Sequence, residues 1–109
     1  MSKTLDFNKL KKKFMTVTLA DENNTVLMIN TPTKAIMDGF LAMRDSLSED
    51  MENDALDELY DIVARIMSHN RNGKKFTKEE VQELFDYEDI IIFIRAYTEF
   101  INEVIDAKN

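Results

Sequence analysis

The chain has 109 residues, contains no cysteine and carries a formal net charge of −7. This length suits a single core, and the missing thiols exclude disulfide bonds, thiolate zinc sites and a cysteine nucleophile. No window approaches the roughly 20 apolar residues of a membrane span, and residues 1–13 are too charged for a signal peptide, so we expect a cytoplasmic protein without a membrane partner.

Charge is distributed unevenly along the chain. Residues 1–20 hold five lysines and one aspartate, whereas residues 21–109 hold nine basic and 20 acidic residues. We interpret residues 1–13 as a basic, solvated arm and residues 14–109 as one acidic domain. The alternative for the arm is contact of its lysine cluster, Lys9 and Lys11 to Lys13, with phosphates or a membrane surface. An acidic domain repels phosphate backbones, so nucleic acid is not an expected partner.

The first predicted element is a β-hairpin over residues 14–31. Two β-prone runs flank the polar connector Asp21 to Asn24, which suits a hairpin loop. Alternation places Met15, Val17 and Leu19 on one face. The hairpin is therefore expected either to pack on the helices that follow or to extend from them.

Helical spacing replaces strand spacing after Pro32. This proline ends the second strand, and Thr31 or Thr33 can cap the helix that follows. The sequence therefore predicts an α+β, mostly α fold, in which the hairpin precedes a bundle of about four helices. We predict these helices at about 33–47, 54–70, 77–85 and 88–107.

Local signals separate the second and third predicted helices. His69 and Arg71 suit the negative end of a helix dipole, and Gly73 can turn the chain with a positive φ. Thr77 and Glu80 have the spacing of a capping box, which begins the short third helix.

The last predicted helix is apolar on more than one side. Residues 90–94 are all apolar and mostly β-branched, so alone they could form a strand, but the later spacing of three and four favours a helix. A helix that is apolar all round is either central or shared with a partner. The plain interpretation is that this helix belongs to the core. The alternative, which we predict, is that at least two of five side chains contact a client protein or a second copy of the chain. These five are Ile91, Phe93, Ile94, Tyr97 and Phe100.

No metal or cofactor site is predicted. Residues 68–79 have the Asn, Gly and Glu positions of a calcium-binding loop, but Ser68 replaces the leading Asp and four Lys and Arg side chains oppose a dication. Only two glycines are present, which excludes a glycine-rich phosphate loop.

No catalytic site is predicted either, and we expect the protein not to be an enzyme. His69 is the only histidine. The carboxylate pairs Asp57 with Asp61, and Glu99 with Glu103, lie on predicted solvent faces, where no pocket separates their pKa values.

The stretch from Asp45 to Asp61 holds eight acidic residues and no basic residue. The plain interpretation is a solvated face. The alternative is a docking surface for a basic partner, since opposite charge accelerates encounter.

The layout of the whole chain resembles a known family. The basic start TLDFNKLKKK, the hairpin MTVTLADENNTVLMINTPTK and the helical end DYEDIIIFIRAYTEFINEV resemble the small tail assembly chaperones of long-tailed phages and prophages of Gram-positive bacteria. The resemblance implies a protein that keeps the tape-measure protein soluble, recruits tail-tube subunits and is absent from the finished particle. An apolar face with an acidic exterior agrees with that role.

Two other functional classes stay open at this point. One is a structural phage tail or connector subunit whose hairpin adds strands to its neighbours. The other is an acidic mimic of DNA that occupies a DNA-binding protein.

Overall fold

In the computed structural model of the protein, a two-stranded antiparallel hairpin precedes four helices, which makes the fold α+β and mostly α. The structure describes residues 3–7, 12–47 and 53–106. Every predicted element is confirmed, with ends that differ by at most two residues. The elements are β1 (Phe14–Thr18), β2 (Val26–Asn30), α1 (Lys34–Leu47), α2 (Asn53–Ser68), α3 (Lys78–Leu84) and α4 (Tyr87–Asp106).

The hairpin packs one face on the helices, which is the first of the two arrangements expected from the sequence. On this inner face, Met15 lies opposite Ile29 and Val17 lies opposite Leu27. Leu27 and Ile29 are fully buried, whereas Met15 and Val17 are half-buried. The inner face is therefore better covered at β2 than at β1.

The outer edge of β2 is covered by the loop that joins α2 to α3. The N–H of Asn30 donates to the carbonyl of His69 at 2.9 Å, and the N–H of Arg71 donates to the carbonyl of Met28 at 2.9 Å. The N–H of Met28 donates to Oδ1 of Asn72 at 2.8 Å. This loop therefore acts as a short third strand that fixes the hairpin to the helices.

Arg71 differs from its prediction, because its side chain leaves the end of α2 and reaches the hairpin. Its guanidinium donates to the carbonyl of Lys12 at 2.8 Å and to Oδ1 of Asn30 at 3.3 Å. The guanidinium carbon also lies 4.3 Å from the centre of the Phe14 ring. Three hairpin contacts outweigh a weak interaction with the helix dipole at the surface.

The central helix is α2, which packs against α1, α3, α4 and β2. Its inward side chains recur at spacings of three and four and are fully buried at Leu59, Val63, Ile66 and Met67. The last helix, α4, packs against α2. Among the described ranges, no helix is long and apolar enough to cross a membrane.

The predicted caps are confirmed where the structure describes them. Oγ1 of Thr33 accepts from the N–H of Ile36 at 3.3 Å at the start of α1. Thr77 and Glu80 exchange two hydrogen bonds of 3.1 Å, which completes the capping box of α3. Gly73 has a φ of 73°, a conformation that glycine adopts without strain.

Candidate protein-binding surfaces

The five side chains predicted to contact another chain lie mainly on the inner face of α4. Phe93, Ile94, Tyr97 and Phe100 are buried in the chain's own core, and Ile91 is half-buried against it. Burial within one chain accounts for four of them without a partner. Contact of these residues with another chain stays a prediction.

An aromatic cluster explains why this face of α4 is buried. Tyr97, which is only 1% exposed, contacts Phe40 of α1 edge-on with 5.3 Å between ring centres. Phe93 and Phe100 each lie 6.1 Å from the same ring. Burial raises the pKa of the Tyr97 phenol, since the charged phenolate loses its hydration. These rings hold α4 against α1.

The outward side of α4 carries apolar side chains that the prediction did not name. Ile92 is 57% exposed, and Tyr87 and Ile105 are each 53% exposed. Ile92 lies four residues after Glu88 and seven before Glu99, and both glutamates are exposed. That charged stripe was the signal for the outward side, and it was hidden by the run of five apolar residues around Ile92.

The start of α4 is held in place by a second reciprocal cap. Oδ1 of Asp86 accepts from the N–H of Asp89 at 2.8 Å, and Oδ2 of Asp89 accepts from the N–H of Asp86 at 3.2 Å. The hydroxyl of Tyr60 donates to the carbonyl of Phe85 at 2.9 Å. Burial, with Asp86 and Asp89 nearby, raises the pKa of Tyr60. The junction before the exposed part of α4 is thus fixed to α2.

The outer edge of β1 is open within the described part of the chain. Because the N–H of Leu19 donates to the carbonyl of Thr25, the alternate residues Phe14, Thr16 and Thr18 point their backbone groups away from β2. No described residue bonds these outward groups. Unlike β2, this strand presents donors and acceptors that a further strand can use.

The acidic stretch from Asp45 to Asp61 lies partly outside the described residues, as does the basic arm of residues 1–13. Within the described part, Asp57, Glu58 and Asp61 are exposed on α2. The stretch thus presents at least one acidic patch to solvent.

The loop that resembles a calcium site uses its polar atoms to hold its own shape. Nδ2 of Asn70 donates to the carbonyls of Met67 and Lys74, and its Oδ1 accepts from the N–H groups of Asn72 and Lys74. In the described ranges, no group of three or more His, Asp or Glu residues is placed to hold a metal ion.

No protein-family model matches the chain, and no curated protein or solved structure matches it.

Proposed function

We propose that this protein is a non-enzymatic protein-binding protein that acts as a tail assembly chaperone, as in the phage family that its sequence resembles. In this role it keeps the tape-measure protein soluble in the cytoplasm of the host bacterium and recruits tail-tube subunits. The observation that supports it most directly is the exposure of two large apolar side chains, Tyr87 and Ile105, on one side of α4.

The spacing of these side chains suits a long helical client. Tyr87 and Ile105 are 18 residues apart, so they lie on the same side of α4, about five turns and 27 Å from each other. Ile91 lies on the adjoining side with part of its surface exposed. A client helix that runs along α4 can therefore contact it over most of its length.

The surroundings of this surface suit a chaperone. Burying the exposed half of an isoleucine or tyrosine side chain on a client contributes about 1 kcal/mol for each residue. Glu88, Glu99 and Glu103 are exposed on the same helix. Their charges leave the complex acidic on its outside and so oppose aggregation.

The five predicted residues take two roles in this proposal. Ile91 contacts the client together with the exposed residues of α4, whereas Phe93, Ile94, Tyr97 and Phe100 hold the helix from behind. An aspartate scan separates the roles, because a charge at a supporting position unfolds the domain and a charge at a contacting position removes binding alone.

The test is co-expression with the tape-measure protein of the same genome, measured as the fraction of that client in the soluble extract. Ile105→Glu, at a position that is 53% exposed, should leave the client insoluble while the chain keeps its melting temperature. Gln82→Glu on α3, an exposed position, adds the same charge away from α4 and should keep the client soluble. Equal client solubility with Ile105→Glu and with the unmodified chain would refute binding through this surface.

The open edge of β1 favours a second candidate, a structural tail subunit that adds strands to its neighbours. A structural subunit remains in purified particles, whereas an assembly chaperone leaves them. Mass spectrometry of finished particles distinguishes the two functions.

A further inference from the structure

We propose that the open edge of β1 pairs with β1 of a second copy of the chain, which joins the two hairpins into one four-stranded antiparallel sheet. The proposal goes beyond client binding and uses a different surface. It rests on the backbone geometry of β1, on its half-covered apolar face and on the charges at its two ends.

The backbone of β1 matches itself in the antiparallel direction. When Thr16 lies opposite Thr16 of the second copy, Phe14 lies opposite Thr18 in both directions, and all five residues of each strand are paired. The outward N–H groups of one strand then meet the outward carbonyls of the other. Threonine pairs across strands are favourable, and β1 contains no proline or charge that would block its edge.

The apolar layer of the hairpin also continues across this junction. Met15 and Val17 face the helices but stay half-buried, whereas Leu27 and Ile29 on β2 are fully buried. Pairing brings Met15 of each copy opposite Val17 of the other. The parts of Met15 and Val17 that are exposed in the single chain are then removed from water, which favours pairing.

Charge complementarity identifies a second copy as the occupant and sets its direction. Lys12 and Lys13 precede β1, and Asp21 and Glu22 follow it in the hairpin loop. In an antiparallel pair, the basic end of each strand lies beside the acidic loop of the other copy. A parallel pair would place like charges together, so the pattern selects the antiparallel arrangement.

The first test is sedimentation equilibrium of the full chain over a range of concentrations. Thr16→Pro removes an outward N–H without removing a bond to β2, so the hairpin should stay folded and the dissociation constant should rise by about tenfold or more. Thr16→Val keeps that N–H and should still dimerise. In the dimer, slow amide exchange should extend from Met15 and Val17 to Phe14, Thr16 and Thr18.

A charge exchange tests the assigned orientation. Lys13→Glu and Glu22→Lys each place like charges at both ends of the pair, so each variant alone should dimerise less than the unmodified chain. An equal mixture restores both attractions and should recover the dimer. A chain that stays monomeric up to about 1 mM, a dimer that survives Thr16→Pro, or a mixture that fails to associate overturns the proposal. A monomeric chain that still keeps the tape-measure protein soluble would overturn this pairing and leave the proposed function intact.

Discussion

Two isoleucines two residues apart on α4 provide a matched test of which side of the helix is buried. Ile90 is 0% exposed and Ile92 is 57% exposed. Replacing Ile90 with alanine removes three buried carbons, which costs about 2.4 kcal/mol in transfer and about 1 kcal/mol more for the cavity. At Ile92 the corresponding loss is about 1 kcal/mol, and the better helix propensity of alanine offsets about 0.4 kcal/mol at both positions.

Urea denaturation followed by circular dichroism measures both variants. We expect Ile90→Ala to lose about 2.4 kcal/mol of unfolding free energy more than Ile92→Ala, which is a large fraction of the stability of a domain this size. Because the two substitutions share their chemistry and their helix, propensity and unfolded-state effects largely cancel. Equal losses at the two positions would show that α4 does not pack with Ile90 inward.

Three further predictions follow from the contacts. Arg71→Ala should cost about 1–2 kcal/mol in urea denaturation, and Arg71→Lys should not restore it, since lysine cannot reproduce the planar fork over Phe14. Burial raises the pKa of Tyr97 in the folded protein above its value of about 10 in the unfolded chain, so the protein should be less stable above pH about 10 than below it. Tyr97→Phe removes this titration and should make the fall in melting temperature above pH about 10 shallower. Calcium should leave the melting temperature unchanged, and a saturable rise at micromolar calcium would contradict the assignment of residues 68–79 as a structural loop.

Local signals account for what the sequence predicted correctly. The change of apolar spacing at Pro32 separates hairpin from helices, and the Thr77 to Glu80 capping box begins α3 as expected. These features depend on residues within one or two turns of each other. They are therefore visible without knowledge of the tertiary structure.

The candidate surfaces depend on contacts between distant segments, and here sequence reasoning failed in part. Five consecutive apolar residues give no preferred side, so the exposure of Ile92 follows only from where Tyr97 meets Phe40. Arg71 was assigned to a helix end because its hairpin contacts lie about 41 to 59 residues away in sequence. Which edge of the hairpin stays open depends on the α2–α3 loop, because this loop lies beside β2 and leaves β1 unpaired within the described part of the chain.

Because the α2–α3 loop covers the outer edge of β2, that edge cannot be covered during synthesis until the loop has been translated. The hairpin leaves the ribosome first, yet the loop residue Asn72 that bonds Met28 is translated 44 residues later. At about 5–20 residues per second, this separation corresponds to about 2–9 s. An isolated two-stranded hairpin is only marginally stable, so both strand edges should stay accessible during that interval. Nascent chains on neighbouring ribosomes would then meet through β1 before their helical domains are complete.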